Sequence, residues 1–233
     1  VIQEDRVTGT RALRFLPGPI FANVVLADEI NRTPPKTQAA LLQAMQEKEV
    51  TAGGQTHHLA LPFFVLATQN PIEYEGTYPL PEAQLDRFTM RIDIGYPPPA
   101  EEARMLAEQT SDPPLEDLEP VTNATGITDV IDEATRIFVE ESLHRYVVEL
   151  VRQTRDDPRL YLGASPRAGI ALLRVAKARA LADERDNVLP DDVQAVAPAV
   201  LAHRLILGPE ARAAGTAPVQ LVREAVERTR VPS

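Results

Sequence analysis

The side chains best suited to catalysis or ligand binding lie at the ends of two short apolar runs. One run ends directly in Asp28 and Glu29, and a second one leads to Asn70. An apolar strand that ends in two carboxylates places them at the carboxyl edge of a sheet, where open α/β sheets bind ligands. There Asp28 can hold Mg²⁺, which prefers few carboxylates together with phosphate oxygens. Glu29 can activate a water for attack on a γ-phosphate, and Asn70 can hold that water or a phosphate oxygen if the strands are neighbours. The simpler alternatives are an acidic helix cap and an Asn-Pro turn.

Two arginines stand at predicted helix boundaries. Arg87 lies at the end of a short predicted helix. Exposed near a subunit edge, it can neutralise transition-state charge in a neighbour's site; the alternative is a surface pair with Asp86. Arg167 follows Ser165-Pro166, where Ser165 is the expected N-cap. A cation in the first helical turn opposes the helix dipole. An anionic ligand at this helix start therefore explains Arg167 better than stability does.

Short strands and Gly/Pro turns are predicted up to residue 97, and helices after it, with the break at Tyr96-Pro97-Pro98-Pro99. The strand 23–27 is expected to be buried on both faces, as in a parallel sheet. Thr33 is the expected N-cap of the next helix, with Pro34 in its first position. The other predicted elements are a hairpin over 1–15 with its turn at Thr8-Gly9, a hairpin over 49–59, strands at 63–68 and 89–94, and helices at 82–88, 100–109, 140–154, 165–182, 190–205 and 216–230.

Composition excludes several classes of protein. The 233 residues carry 24 Lys+Arg and 34 Asp+Glu, a net charge of −10, which argues against general nucleic-acid binding and against an anionic membrane surface. There is no cysteine, so disulfides, thiol catalysis and cysteine metal sites are excluded. No apolar stretch approaches 18 residues and no signal-peptide pattern opens the sequence, so we expect a cytoplasmic location without membrane insertion.

The order and spacing of these motifs resemble those of AAA+ ATPases of the MoxR type. Asp28 and Glu29 match the Walker B motif, and residues 25–38 are very close to that family, with the sequence VLADEINRTPPKTQ. By the same resemblance Asn70 matches sensor 1, Arg87 the arginine finger and Arg167 sensor 2. The implied fold is α/β: a partial AAA+ parallel-sheet core over residues 1–97, followed by an all-helical lid domain over 98–233.

The resemblance implies an ATPase that acts as a chaperone-like factor in the remodelling or maturation of protein complexes. Its cofactors are ATP and Mg²⁺, with Asp28 as the metal ligand and as a nucleotide-binding residue. Glu29, Asn70 and Arg87 are then catalytic, and Asn70 and Arg167 contact the nucleotide. The implied partners are further copies of the chain in a ring, commonly a hexamer, protein clients, and a protein with a von Willebrand factor A domain.

One departure from the family pattern is large. The 233 residues contain no G-x-x-x-x-G-K-[ST], the P-loop that cradles the phosphates and that precedes Walker B in the family. We therefore expect the chain to lack an N-terminal segment with two core strands, the central one included. A non-hydrolysing scaffold or regulatory module is the alternative function. A third possible function is that of a DNA-linked AAA+ relative. The net negative charge and the absence of a basic cluster in the second predicted hairpin argue against it.

Overall fold

The chain forms two compact units in a computed structural model, residues 1–87 and residues 88–233. The structure describes residues 2–4, 11–13, 15–70, 76–108 and 118–232. Each unit has its own cluster of buried apolar side chains. The domain boundary at residue 97 stays a prediction. In the structure, the main-chain N–H of Arg91 donates to the carbonyl of Ala199, so the segment after residue 87 is bonded within the second unit.

Three strand pairs and a crossover helix make up the first unit. The two hairpins are present as predicted, although the turn at Thr8-Gly9 lies outside the described residues. The strands Val24–Ala27 and Phe64–Ala67 form a parallel pair, which is possible because the chain between them crosses back through the helix Pro35–Glu47. The elements are β1 (Ile2–Glu4), β2 (Arg11–Leu13), β3 (Val24–Ala27), a 3₁₀ turn (Ile30–Arg32), α1 (Pro35–Glu47), β4 (Glu49–Ala52), β5 (Gln55–His58), β6 (Phe64–Ala67) and α2 (Glu82–Leu85).

The parallel pair buries one face and exposes the other. Val25 and Val65, which are partners in the register, pack against the cluster that contains Ala44 of α1. The opposite face carries four apolar side chains that are 48–64% exposed: Val24, Leu26, Phe64 and Leu66. The prediction of parallel strands is confirmed, but the prediction that β3 is buried on both faces is wrong. An apolar strand is able to bury both of its faces, but a face is buried only where another layer of the protein packs on it.

The predicted strand at 89–94 does not form in the structure. These residues have no regular secondary structure, and Ile92 and Ile94 are 72% and 93% exposed. A strand exists only where its N–H and C=O groups pair with a neighbour, and this segment has no strand partner among the described residues. The alternating apolar pattern of residues 89–94 is compatible with a strand, but the segment does not pair with another strand in this structure.

The first crossover helix begins one residue later than predicted. Its N-cap is Pro34, and Thr33 instead ends the preceding 3₁₀ turn, where its Oγ1 donates to the carbonyl of Ile30 at 2.7 Å. A residue that precedes a proline is pushed into extended conformations. Both Thr33 and Pro34 precede a proline and are extended, with ψ of 145° and 150°, so the helix cannot start before Pro35.

Helices are the main regular elements among the described residues of the second unit. Its core lies between the helices Glu141–Arg155, Pro166–Ala182, Pro190–Leu201 and Pro218–Arg228. It includes Leu150, Leu172, Val193 and Val200, each with no exposed surface. None of the helices in the described part of the chain has the length and apolar character needed to cross a membrane. The elements are α3 (Pro99–Glu108), α4 (Ala124–Arg136), α5 (Glu141–Arg155), β7 (Leu160–Leu162), α6 (Pro166–Ala182), α7 (Pro190–Leu201), a 3₁₀ turn (Ala202–Arg204), β8 (Ile206–Leu207), α8 (Pro209–Ala213) and α9 (Pro218–Arg228).

Candidate functional site

The parallel register brings the polar ends of β3 and β6 to the same edge. Ala27 is the partner of Ala67, so the residues that follow the two strands are neighbours. The ladder continues past the strands, because Thr68 N–H donates to the Ala27 carbonyl at 3.1 Å and Ile30 N–H donates to the Thr68 carbonyl at 3.0 Å. This edge is the carboxyl end of both strands, where parallel sheets bind ligands.

The hydroxyl of Thr68 links the two candidate acidic residues. Its Oγ1 donates to Asp28 Oδ1 at 2.5 Å and accepts from the main-chain N–H of Glu29 at 2.9 Å. Glu29 has φ 48° and ψ 50°, a left-handed conformation that is unfavourable for a residue with a side chain. The bonds from Thr68 therefore hold both the Asp28 carboxylate and the strained backbone that sets the direction of the Glu29 side chain.

The carboxylate of Glu29 forms an ion pair with Arg32. Arg32 Nε lies 3.1 Å from Glu29 Oε2, and the two side chains are 47% and 37% exposed. An exposed pair of this kind contributes about 0–1 kcal/mol. Glu29 can therefore leave Arg32 at little cost when a substrate presents a water to it.

A buried glutamine fixes the loop that leaves β3. Gln38 is 1% exposed, and its Nε2 donates to the carbonyls of Ile30 at 3.1 Å and of Tyr78 at 2.8 Å. Asn31, which is 8% exposed, has its Nδ2 at 3.5 Å from the carbonyl of Asn70. Its Oδ1 is buried and accepts no hydrogen bond from a described residue. The side chains of Gln38 and Asn31 thus hold the loop after β3 next to the segment that ends at Asn70.

The two candidate arginines stand apart from this edge along the chain. Arg87 is exposed and follows α2, where its main-chain N–H donates to the carbonyl of Gln84 at 3.1 Å. Arg167 is exposed in the first turn of α6 and belongs to the second unit. Ser165 is the N-cap as predicted, but its side chain makes no capping bond to the helix. The structure therefore brings together Asp28 and Glu29 with the strand end that carries Asn70, and the roles of all five residues remain predictions.

Sequence reasoning did not single out Thr68 or Gln38 as parts of the site. Thr68 was visible only as the last residue of a predicted strand, and Gln38 as one polar residue of an amphipathic helix. Their partners lie 39–40 residues away in the chain, so local patterns did not reveal the bonds. The signal that points to Thr68 is its position: it is a polar residue directly after an apolar strand, and the neighbouring apolar strand is also followed by polar residues.

Known families match both units of the chain. Residues 2–90 match the model of the family described as "ATPase family associated with various cellular activities (AAA)", and residues 152–225 match that of the "AAA lid domain". The chaperone MoxR1 of Mycobacterium tuberculosis is 42% identical over 224 residues, which are 92% of this chain and 59% of MoxR1. Protein MoxR of Methylorubrum extorquens is 34% identical over 248 residues, with 94% of this chain and 71% of that protein covered.

The chain belongs to the MoxR-type AAA+ ATPases.

Further similarities agree with this family and with the fold. The uncharacterized protein YeaC of Bacillus subtilis is 50% identical over 223 residues, 96% of this chain and 70% of YeaC. A crystal structure of a protein from Cytophaga hutchinsonii superposes with a TM-score of 0.91 at 39% identity, and the match covers 100% of this chain and 73% of that one. The resemblance to MoxR-type AAA+ ATPases and the AAA+ fold with a helical lid are thus confirmed.

The donor set at the sheet edge suits a nucleotide-bound Mg²⁺ rather than an all-protein metal site. Among the described residues, no group of three or more His, Cys, Asp or Glu side chains could hold a metal. Asp28 is exposed and presents a hard carboxylate whose Oδ1 is oriented by Thr68. Mg²⁺ commonly takes one or two carboxylates together with waters and substrate phosphates, so the Asp28 carboxylate is compatible with such an ion.

Proposed function

We propose that the protein hydrolyses ATP and uses the energy for chaperone-like remodelling or maturation of protein complexes. One observation carries the proposal. In a MoxR-type chain, the Thr68 hydroxyl bonds both to the carboxylate of Asp28 and to the backbone of Glu29 at the carboxyl edge of a parallel pair, beside the strand end that carries Asn70. Such an edge, with two adjacent carboxylates, supports this proposal because it offers one group for Mg²⁺ and one for the attacking water.

Asp28 and Glu29 have different tasks in this mechanism. Asp28 holds the Mg²⁺ that, when bound with ATP, neutralises charge on the phosphates. Glu29 orients the attacking water and accepts its proton. The ion pair with Arg32 supports the second role, because a carboxylate that is partly exposed and weakly paired can reach a water without a large energetic cost.

Asn70 and the two arginines stabilise the negative charge that develops on the γ-phosphate. Asn70 positions the water or a phosphate oxygen through its amide. Arg87 reaches the site of a neighbouring subunit, in agreement with its exposure after α2. Arg167 contacts the nucleotide from the first turn of the 17-residue helix α6, where free N–H groups favour anions. Loss of the γ-phosphate then alters the position of the lid.

Membership of the family supports a proposal about the partners. We propose a ring of identical subunits, a hexamer, that acts on protein clients together with a protein that carries a von Willebrand factor A domain. The 233 residues contain no P-loop motif, and they cover 59% of the length of MoxR1, so ATP hydrolysis is proposed for the protein produced from its complete gene. The same observation favours the second candidate, a non-hydrolysing scaffold or regulator.

The function is tested by replacing Asp28 with asparagine in the protein made from the complete gene. We expect the wild-type protein to release phosphate from ATP, and the Mg²⁺ concentration for half-maximal rate to rise about tenfold or more in Asp28→Asn, because a neutral amide binds Mg²⁺ weakly. Asp129→Asn, an exposed substitution on α4, is the control. Rescue of heat-unfolded citrate synthase should need ATP and fail in Asp28→Asn. A wild-type protein that binds ATP without hydrolysing it would favour the scaffold.

Replacing Thr68 with valine tests the link between the acidic residues. Valine has the shape of threonine but cannot donate to Asp28 or accept from the Glu29 N–H. We expect kcat to fall roughly 10- to 100-fold, as is usual for residues that orient a metal ligand. Thr68→Ser should retain most of the activity, and Thr56→Val on β5 should have no effect. Wild-type kcat and Mg²⁺ dependence in Thr68→Val would show that the hydroxyl does not position the site.

A further inference from the structure

The segment that directly follows Arg87 is fastened to the end of α7 and to the 3₁₀ turn after it. Arg204 Nη2 donates to the carbonyl of Phe88 at 2.6 Å, and its Nη1 donates to the carbonyl of Thr89 at 3.2 Å. His203 Nε2 lies 3.2 Å from the same Phe88 oxygen. Farther along, the N–H of Arg91 donates to a carbonyl of α7 at 2.9 Å. All these groups lie in the second unit, so the segment 88–91 is bound to the lid side of the chain.

Arg204 is an unusual residue to find at this place. It is 6% exposed, and its guanidinium also donates to the carbonyl of Val200 within its own turn. Burial of a cation is costly unless its N–H groups are well bonded, and an apolar side chain of similar size would pack here without that cost. The fork of the guanidinium nevertheless lets one side chain hold two successive carbonyls of the segment, which no apolar residue can do.

His203 reinforces the same attachment as a neutral group. Burial, and then the charge of Arg204, lower its pKa to about 4. At neutral pH the imidazole is therefore uncharged, and Nε2 must carry the hydrogen that it donates to the Phe88 oxygen. The attachment thus does not change between pH 6 and pH 8.

The attachment continues into the helix that carries Arg167. Helices α6 and α7 pack along each other in the core of the second unit, through Ala168 and Leu172 of α6 and Val193 and Val200 of α7. Val200 is itself a partner of Arg204. Packing between α6 and α7 and the hydrogen bonds of Arg204 therefore link the helix that begins at Arg167 to the backbone directly after Arg87.

We propose that Arg204, assisted by His203, is a positioning residue that holds the backbone directly after Arg87 within the second unit. The inference rests on the proposed function. A change of lid position on nucleotide turnover would then move Arg87, which acts in the neighbouring subunit. Arg204 contacts neither substrate nor metal in this scheme. Its effect must therefore follow the subunit that donates Arg87, and a residue that only stabilises the lid would not show that dependence.

The test uses mixed rings of the protein made from the complete gene. Subunits with Arg87→Ala and subunits with Glu29→Gln are inactive alone. When the two kinds of subunit are mixed one to one, up to about a quarter of the subunit interfaces should contain a complete site. At these interfaces one subunit contributes an intact Glu29 and its neighbour contributes an intact Arg87. Arg204→Met is added to one partner or to the other, and phosphate release is measured.

We expect Arg204→Met to lower the recovered rate roughly 10- to 100-fold when it shares a subunit with Glu29→Gln, since that subunit donates Arg87. It should have little effect in the subunit with Arg87→Ala, which donates no arginine. Nucleotide affinity should be unchanged in both cases. Lys177→Met, which removes another cation that donates to a main-chain carbonyl of this unit, should show no such asymmetry.

Equal loss in both arrangements, or no loss in either, would overturn the proposal. If Arg204→Met does not assemble, Arg204→Lys takes its place, because it keeps the cation but presents a single ammonium instead of a fork. The expected asymmetry then has the same direction and a smaller size, and its absence counts against the proposal. If the two single variants fail to complement each other, the proposed role of Arg87 in a neighbouring site fails instead, so the two failures are distinguishable.

Discussion

Replacing Glu29 with glutamine is expected to leave ATP binding intact and to lower turnover at least 100-fold in the protein made from its complete gene. Glutamine keeps the size of the side chain but loses the charge that activates the water, and a general base is worth roughly 10²–10⁴ in rate. Thr68 bonds to the main-chain N–H of residue 29, so the substitution leaves that bond in place. Phosphate release measures kcat, and a fluorescent ATP analogue measures affinity.

The matched control for this prediction is Glu47→Gln in the same unit. Glu47 is exposed at the end of α1, and its carboxylate accepts a hydrogen bond from Gln43 at 2.7 Å. Its substitution should leave both rate and affinity unchanged. A Glu29→Gln protein that turns over ATP at the wild-type rate would remove Glu29 from the role of base. Loss of affinity together with rate would assign it to binding instead.

Replacing Arg87 with alanine is expected to lower kcat roughly 10³-fold or more, within the 10³–10⁵ that an arginine finger contributes. The guanidinium neutralises charge only in the transition state, so the affinity for ATP should change little. Because we place Arg87 in a neighbouring site, Arg87→Ala subunits mixed with Glu29→Gln subunits should regain activity. Rates of phosphate release at several mixing ratios measure this recovery.

Arg145→Ala is the matched control for the loss of an exposed arginine. Arg145 lies on α5 and pairs with Glu141 on the surface at 2.5 Å, and such pairs contribute about 0–1 kcal/mol. We expect it to behave as wild type. A mild effect of Arg87→Ala, within threefold of the control, would contradict the finger assignment. A strong effect without recovery in mixed rings would place Arg87 in the site of its own subunit.

The parallel pair and its polar edge were predictable because local patterns carry the information. The apolar runs before Asp28 and before Asn70 have the length and composition of buried strands, and a helix with proline at its start separates them. The two strands form as predicted, pair in parallel and bring the residues after them to one edge. The tight Gly53-Gly54 turn of the second hairpin was equally local, with both residues at positive φ.

Where prediction failed, the missing information was not local. The segment 89–94 has the alternation of a strand but forms none, since a strand also needs a neighbour to pair with. Helix α4 was not predicted, because β-branched residues and Gly126 lower its intrinsic helix propensity. Asn123 caps it by accepting from Gly126 N–H, and the helix contacts α6, which lies more than 25 residues later in the chain.

By itself the sequence determined the family, the fold class and the identity of the residues that can do chemistry, because each is written in short motifs of Asp, Glu, Asn and Arg at strand and helix ends. Only the tertiary structure decided what holds them. Thr68 is joined to Asp28 across 40 positions, and Arg204 to Phe88 across 116. A hydrogen bond requires that donor and acceptor be placed to within a few tenths of an ångström. Residues this far apart in the chain reach such positions only when the chain folds, so local sequence patterns do not reveal these bonds.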